Sequence, residues 1–218
     1  MNQKHVIVAG NIGVGKTSLV SLLSARLDWE PYFEPEAANP YLADFYQDMT
    51  GWAFHSQVFF LSRRLKSHHE IKHFSRTVLQ DRSVYEDAEV FARNLHLKGF
   101  INQRDYSTYC DLYRTLLEFL PHPDLVIYLR ASVPTLMKRI RQRGRDYEKT
   151  ITFEYLEEVN DLYEKWIKEF TLCPVLTIPA DSMDFVEKED HLNLIMQKVQ
   201  EKLTGKEIVV FFPDEIGQ

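Results

Sequence analysis

The most specific chemistry in the chain lies close to its start, in Gly10-Asn11-Ile12-Gly13-Val14-Gly15-Lys16-Thr17, followed by Ser18. This is G-x-x-x-x-G-K-[ST], set between a strand-like run, His5-Val6-Ile7-Val8-Ala9, and a helical segment from Ser18 to Leu27. Glycines let successive backbone N–H groups turn inward around phosphate oxygens. A helix beginning near Gly15 points the positive end of its dipole at the same anion. Lys16 is placed to reach the outer phosphates and Thr17 to bind Mg²⁺. A chance glycine-rich turn is the alternative, but strand and helix both stand where the motif needs them. Binding of ATP or GTP follows; what receives the phosphoryl group does not.

Three further sets of residues could face such a donor. Glu34 closes the strand-like Tyr32-Phe33-Glu34, and Pro35 after it favours extended geometry at Glu34. A carboxylate there can take a proton from an attacking hydroxyl; a solvated strand-end glutamate is the plainer alternative. Asp81-Arg82-Ser83 follows another strand-like run, Thr77 to Gln80. Asp81 can hold Mg²⁺ directly or through water, and Arg82 would stand beside the phosphoryl group in flight. A surface ion pair would explain the same two residues. Lys138 to Arg145 is a basic helical run, with Arg139 and Arg143 on one face and Gly144 as its stop. It can fold over a triphosphate as a lid that neutralises charge and excludes water, although a bare basic run is more often a solvated face.

The stretch from Leu27 to Ser62 holds no Lys or Arg, whereas Asp28, Glu30, Glu34, Glu36, Asp44 and Asp48 are all acidic. An acceptor bound there is expected to carry no phosphate of its own, because like charges repel. Aromatic residues crowd the same stretch, including Tyr41, Phe45, Tyr46, Trp52, Phe59 and Phe60. Some must be core, but a planar, uncharged acceptor suits the rest.

These residues need a scaffold that brings separate strand ends together. The pattern alternates short β-branched runs with long helical segments. Strands are expected at His5–Ala9, Tyr32–Glu34, Thr77–Gln80, Leu125–Leu129 and Pro174–Ile178. Helices are expected from Asn39-Pro40 onward, from Trp52 to Lys72, and near 84–96, 104–120, 133–143, 152–170 and 189–203. Such alternation predicts an α/β fold, a doubly wound five-stranded parallel sheet flanked by helices, with the ligand beyond the carboxyl ends of the strands.

The 218 residues suffice for about one domain, and no repeat or linker divides them. Hydrophobic residues make up 44% and charged residues 27%, which excludes a disordered chain. A net charge of −6 speaks against a nucleic-acid binder. Two cysteines, Cys110 and Cys173, exclude a disulfide framework and fit the cytoplasm. No apolar run reaches the ~20 residues of a membrane span, and the first residues are no signal peptide.

With the phosphate loop, Glu34-Pro35, Asp81-Arg82-Ser83 and the arginine run in this order, the chain resembles the deoxynucleoside kinases of the deoxycytidine/deoxyguanosine kinase family. Within that family it resembles the bacterial purine deoxynucleoside kinases, from Val6 to about Lys202. The resemblance implies a P-loop kinase with an arginine lid at about 139–150, a single domain over 1–218 with a tail from about 205, ATP and Mg²⁺, and a homodimer. It implies Glu34 as the base that activates the 5′-hydroxyl, with Arg82 beside it, and Tyr46 and Glu148 holding the 3′-hydroxyl. Gln57 matches a base-reading glutamine, Arg64 and Asp87 a pair reading the base edge, and Phe91 the ring beneath the base. Arg139, Arg143 and Arg145 match lid arginines, with Lys16, Arg143 and Arg145 acting on the transferred group, and Asp181 joins the ATP contacts. Asp81 stands where many relatives have Glu. Asn39 stands where relatives often place Trp.

Read from the residues alone, Gln57 is also a helix-surface amide, Asp87 a partner for Arg82 or a cap, and Phe91 plain core. Gln57 offers one donor and one acceptor in a plane, which matches the amino group and N7 of adenine. The expected acceptor is therefore deoxyadenosine, then deoxyguanosine, then deoxycytidine. A thymidylate-kinase-like enzyme would need basic residues around an acceptor phosphate. A non-catalytic ATP-binding module would leave Glu34 and the lid unexplained. His69-Glu70-Ile71-Lys72-His73 matches the zinc pattern H-E-x-x-H, but no third ligand is evident and a solvated helix end is expected. The apolar tail Ile208 to Phe212 could be an edge strand, an arm or packing.

Overall fold

The computed structural model describes residues 3–33, 39–71 and 74–205, without the side chains of His68, His69 and Tyr147. Five parallel strands form one sheet in the order β2-β3-β1-β4-β5: β1 (His5–Gly10), β2 (Glu30–Tyr32), β3 (Val78–Asp81), β4 (Leu125–Arg130) and β5 (Val175–Pro179). β1 is central, and every one of its residues is buried. That is why its sequence reads as an unbroken apolar run: a parallel sheet is covered on both faces. The strand order reverses at β1, so the loops after β1, β3 and β4 diverge there and leave a crevice.

α1 (Lys16–Leu27) and α9 (Glu189–Leu203) pack on the sheet and on each other. A second group of helices comprises α3 (Met49–Ile71), α6 (Gln103–Leu117) and α8 (Phe153–Glu169). α8 reaches the sheet through Tyr163, which stacks on Tyr128 of β4 with ring centroids 5.7 Å apart. α2 (Leu42–Gln47) precedes α3, and α7 (Val133–Arg143) follows β4. Between β3 and α6 the helix is compound: α4 (Val84–Glu86), a π-helical stretch over Asp87–Ala92, and α5 (Arg93–Leu97).

The sheet and its flanking helices are as expected, with local differences. β2 runs two residues earlier than Tyr32–Glu34, its register set by pairing with β3, and Pro31 sits inside it opposite Leu79. Proline is tolerated there because β2 is an edge strand and need not donate on its open side. Phe33 falls outside the strand, 42% exposed. Glu34 and Pro35 lie outside the described residues. α2 starts at Leu42 rather than at Pro40. Asn39 instead closes a turn one step earlier, its Oδ1 accepting the Tyr41 N–H at 3.0 Å. Asp81 is the last residue of β3, paired with Val8 of β1, rather than the first residue after it.

Of the H-E-x-x-H pattern, Lys72 and His73 lie outside the described residues. Glu70 accepts the Tyr32 hydroxyl at 2.5 Å. Among the described residues no three His, Cys, Asp or Glu side chains converge as a metal group, and no helix is long and apolar enough to cross a membrane. The tail residues 206–218 are also outside the description.

Candidate active site

The loops after β1, β3 and β5, together with α2, α3 and the end of α7, enclose a cavity of about 770 Å³. That is within the usual range for a pocket holding a small molecule, roughly 300–1,000 Å³. Ile12, Gly13, Val14, Gly15, Lys16, Thr17 and Ser18 form one wall. Tyr46, Gln57, Arg82, Asp87 and Phe91 form another, and Arg139, Arg143, Arg145, Glu148 and Asp181 close the remainder.

The phosphate loop is held from behind. Asn11 Nδ2 donates to Leu156 O at 2.9 Å and to Asn160 Oδ1 at 2.7 Å, which ties the loop to α8. Gly13 adopts φ +81, and a Cβ there would stand 2.7 Å from Ile140 Cγ1 of α7. Only glycine combines that backbone with that closeness. Gly10 and Asn11 shape the loop without lining the cavity. The Lys16 ammonium is buried, donating to Gly10 O at 2.9 Å and Asn11 O at 3.0 Å.

Thr17 Oγ1 donates to Asp81 Oδ2 at 2.6 Å, joining the start of α1 to the end of β3. Asp81 Oδ1 is buried and accepts no hydrogen bond among the described residues. A hydroxyl beside a carboxylate with a spare oxygen is a hard-oxygen donor set, which suits Mg²⁺.

Arg82 takes a left-handed backbone, φ +66. Its guanidinium lies 4.6 Å from the centre of the Phe91 ring and donates to the Tyr163 hydroxyl at 3.0 Å. Asp87 and Phe91 stand four residues apart in the π-helical stretch and so share one face, and both line the cavity. Asp87 pairs with Arg64 Nε at 3.0 Å, both nearly fully buried. Its partner is therefore Arg64 rather than Arg82. Arg64 itself stands behind Asp87 and does not line the cavity. Gln57 is 5% exposed, so it is not a surface amide, and its Oε1 accepts no hydrogen bond among the described residues. Asn39 is also buried and donates from Nδ2 to Ser56 Oγ at 3.1 Å, beside Gln57.

α7 ends where Gly144 turns left-handed, at φ +68. Arg143 Nε donates to Glu148 Oε2 at 3.1 Å, its Nη2 donates to Oε1, and Arg145 Nη1 lies 3.6 Å from Oε1. Two lid arginines thus converge on one buried carboxylate. Arg139 acts differently: its Nη1 donates to Val14 O at 2.7 Å and its Nη2 to Ala180 O at 2.9 Å. It fastens α7 to the phosphate loop and to the segment after β5. Asp181 accepts from Ser132 N and Ser132 Oγ, both at 2.9 Å. Burial pushes the Asp181 carboxyl up, but hydrogen bonds from Thr135 and Ser132 outweigh it and hold the group below the usual carboxylate range.

The residues gathered here come from five separate parts of the chain, and their order along it matches one known family. The deoxynucleoside kinase family model matches residues 6–204. The chain belongs to the deoxynucleoside kinase family. Among relatives, the deoxyadenosine/deoxycytidine kinase of Bacillus subtilis is 37% identical over 89% of this chain and 90% of its own. The deoxyadenosine kinase of Dictyostelium discoideum is 36% identical over 88% of this chain and 77% of its own. A solved structure of deoxyadenosine kinase from M. mycoides, with the products dCMP and dCDP bound, superposes with a TM-score of 0.80 at 31% identity. That match covers 90% of this chain and 99% of the other.

For this deoxynucleoside kinase, inspection of the sequence missed several cavity-lining residues. Leu42, Phe45 and Phe60 line the acceptor side, and Met183, Phe185 and Val186 the donor side. Phe45 and Phe60 sat in the aromatic-rich stretch, but nothing local separates a lining ring from a core ring. Phe185 comes within 3.3 Å of where a Gly15 Cβ would be, a contact between segments 170 positions apart that no local pattern reveals.

Proposed function

We propose that this kinase transfers the terminal phosphoryl group of ATP to the 5′-hydroxyl of deoxyadenosine, with deoxyguanosine and then deoxycytidine as weaker acceptors. The observation that carries this reading is one cavity that has the phosphate loop on one wall and buried Gln57 and Asp87 with half-buried Phe91 on another. The planar amide of Gln57 suits the amino group and N7 of adenine, with Phe91 beneath the ring. Asp87 accepts from the remaining base edge, and Arg64 orients Asp87. Tyr46 and Glu148 hold the 3′-hydroxyl.

In this reading Glu34, assigned from its place before Pro35 and from the family resemblance, takes the proton of the 5′-hydroxyl, and Arg82 sets the angle of attack. Backbone N–H groups of the phosphate loop, Lys16, Arg143 and Arg145 meet the negative charge that spreads over the phosphoryl oxygens. Arg139 and Asp181 hold the lid helix and the segment after β5 around the donor. Thr17 and Asp81 would hold Mg²⁺, which neutralises charge on the outer phosphates when bound. The proposal includes one domain over residues 1–218, a homodimer through the helical surfaces near 39–60 and 84–120, and work in the cytoplasm.

The test is a panel of the four deoxynucleosides and their monophosphates, each incubated with ATP and Mg²⁺ and resolved by chromatography. Deoxyadenosine should give the highest kcat/KM and the monophosphates should give no diphosphate. A preference for a pyrimidine would overturn the assigned substrate, and Glu34→Gln with near-full turnover would remove Glu34 from its role.

A further inference from the structure

Glu86 is a carboxylate that the proposed mechanism leaves unused. It is wholly buried, one helical turn beyond Arg82, behind the phosphate loop. Its Oε1 accepts the Tyr163 hydroxyl at 2.7 Å and the Gly10 N–H at 3.3 Å, and its Oε2 accepts Ser83 Oγ at 3.3 Å. Arg82 Nη1 lies 3.7 Å from Oε1 and donates to Tyr163 Oη at 3.0 Å. Donation thus runs in one direction, from guanidinium to phenol to carboxylate. The same carboxylate oxygen also receives the N–H of the first glycine of the phosphate loop.

We propose that Glu86 and Tyr163 are a positioning pair for phosphoryl transfer, holding the Arg82 guanidinium and the phosphate loop in fixed relation to each other. The inference rests on the reading of the cavity given above and adds residues to it that touch neither substrate. Arg82 has the left-handed backbone, φ +66, that a non-glycine residue keeps only where its surroundings over-determine it. The Phe91 ring below and the Tyr163 hydroxyl beside the guanidinium supply that determination. β1 and β3 are neighbouring strands, so Gly10 and Arg82 leave the sheet side by side, and Glu86 is within reach of both. The Tyr163 hydroxyl and the Gly10 N–H both donate to one of its oxygens and the Ser83 hydroxyl meets the other, so an amide could keep these contacts but would lose the negative charge that faces Arg82. Burial pushes the Glu86 carboxyl up, while Arg82, Lys16 and the Tyr163 hydroxyl draw it back. The positive groups of the site and this carboxylate therefore form one electrostatic unit.

A structural role alone would show in melting temperature and leave the kinetics of folded enzyme intact. The experiment is steady-state kinetics with ATP, Mg²⁺ and deoxyadenosine on wild type, Glu86→Gln, Tyr163→Phe and the double variant, each checked by melting. Tyr163→Phe keeps the ring that packs on Tyr128, Phe91 and Trp166 and deletes only the hydroxyl. Each single variant should lose about 10- to 100-fold in kcat, since small misplacements at a reacting centre cost that much. KM for deoxyadenosine should stay within about twofold, because the base-binding wall is untouched. The double variant should be no worse than about the weaker single variant, as expected of residues acting as a unit. Folded single variants with wild-type kcat, a change confined to KM, or losses that multiply in the double variant would each overturn the proposal. If Glu86→Gln does not fold, Tyr163→Phe decides alone. Wild type that makes no monophosphate overturns the proposed function and this inference with it; active wild type with unaffected variants overturns only the inference.

Discussion

At the scale of single residues, burial separated readings that residue type could not. From the sequence Gln57 could also be a helix-surface amide and Asp87 a helix cap or a partner for Arg82, and both are buried in the fold, as is Arg64. A buried amide oxygen without a partner is costly to keep unless a ligand completes it. Gln57→Leu should therefore lower kcat/KM for deoxyadenosine by about 10- to 100-fold, equivalent to ~1–3 kcal/mol for a bidentate base contact. Equal loss for every deoxynucleoside would show that Gln57 does not read the base. Arg64→Leu leaves the Asp87 carboxylate buried without its cation, at a cost of about 3–5 kcal/mol of folding stability by urea unfolding. Arg64→Lys should recover only part of this, since a point charge cannot reproduce the Nε contact. Glu34 is the contrasting case: its assignment comes from its place before Pro35 and from the family resemblance, and kinetics must decide it.

At the scale of elements, most strands and helices were legible because hydrophobic periodicity is a local property. β2 was displaced because its register depends on pairing with β3 at the edge of the sheet, which no neighbouring residue announces. The π-helical stretch was invisible for a similar reason: its extra residue per turn is stabilised by packing against α3, α6 and α8. The contact between the phosphate loop and α7 joins two motifs that the sequence displayed separately. Gly13→Ala forces a Cβ to 2.7 Å from Ile140 Cγ1 at a φ of +81. With strain of about 1–3 kcal/mol at such a position, ATP affinity measured by titration calorimetry should fall about tenfold or more. Unchanged affinity would mean that the loop and α7 do not need this close approach. Arg139→Ala should raise KM for ATP more than KM for deoxyadenosine, because its two hydrogen bonds hold α7 on the donor side.

At the scale of the whole molecule, stability is tied to pH through His5, which opens the central strand. Burial lowers the His5 pKa below its ordinary 6.5, against the upward pull of the Gln80 hydrogen bond and Asp124. The unfolded chain then takes up a proton that the folded chain resists. The contribution of neutral His5 is complete above 6.5 and is lost as pH falls from there towards the folded value. Urea unfolding from about pH 8 to about pH 5 should show this loss in wild type and a shallower one in His5→Gln; parallel curves would remove His5 as the cause. By itself the sequence determined the parallel α/β scaffold, the phosphate loop and the family, because apolar periodicity and a short glycine-rich motif are written in contiguous residues. Only the tertiary structure decided that Arg64 stands behind Asp87 and off the cavity, that Arg139 fastens α7 to the loop, and that Glu86 and Tyr163 connect Gly10 to Arg82. Those relations join side chains tens of positions apart, and they exist only once the sheet order has brought the strand ends together.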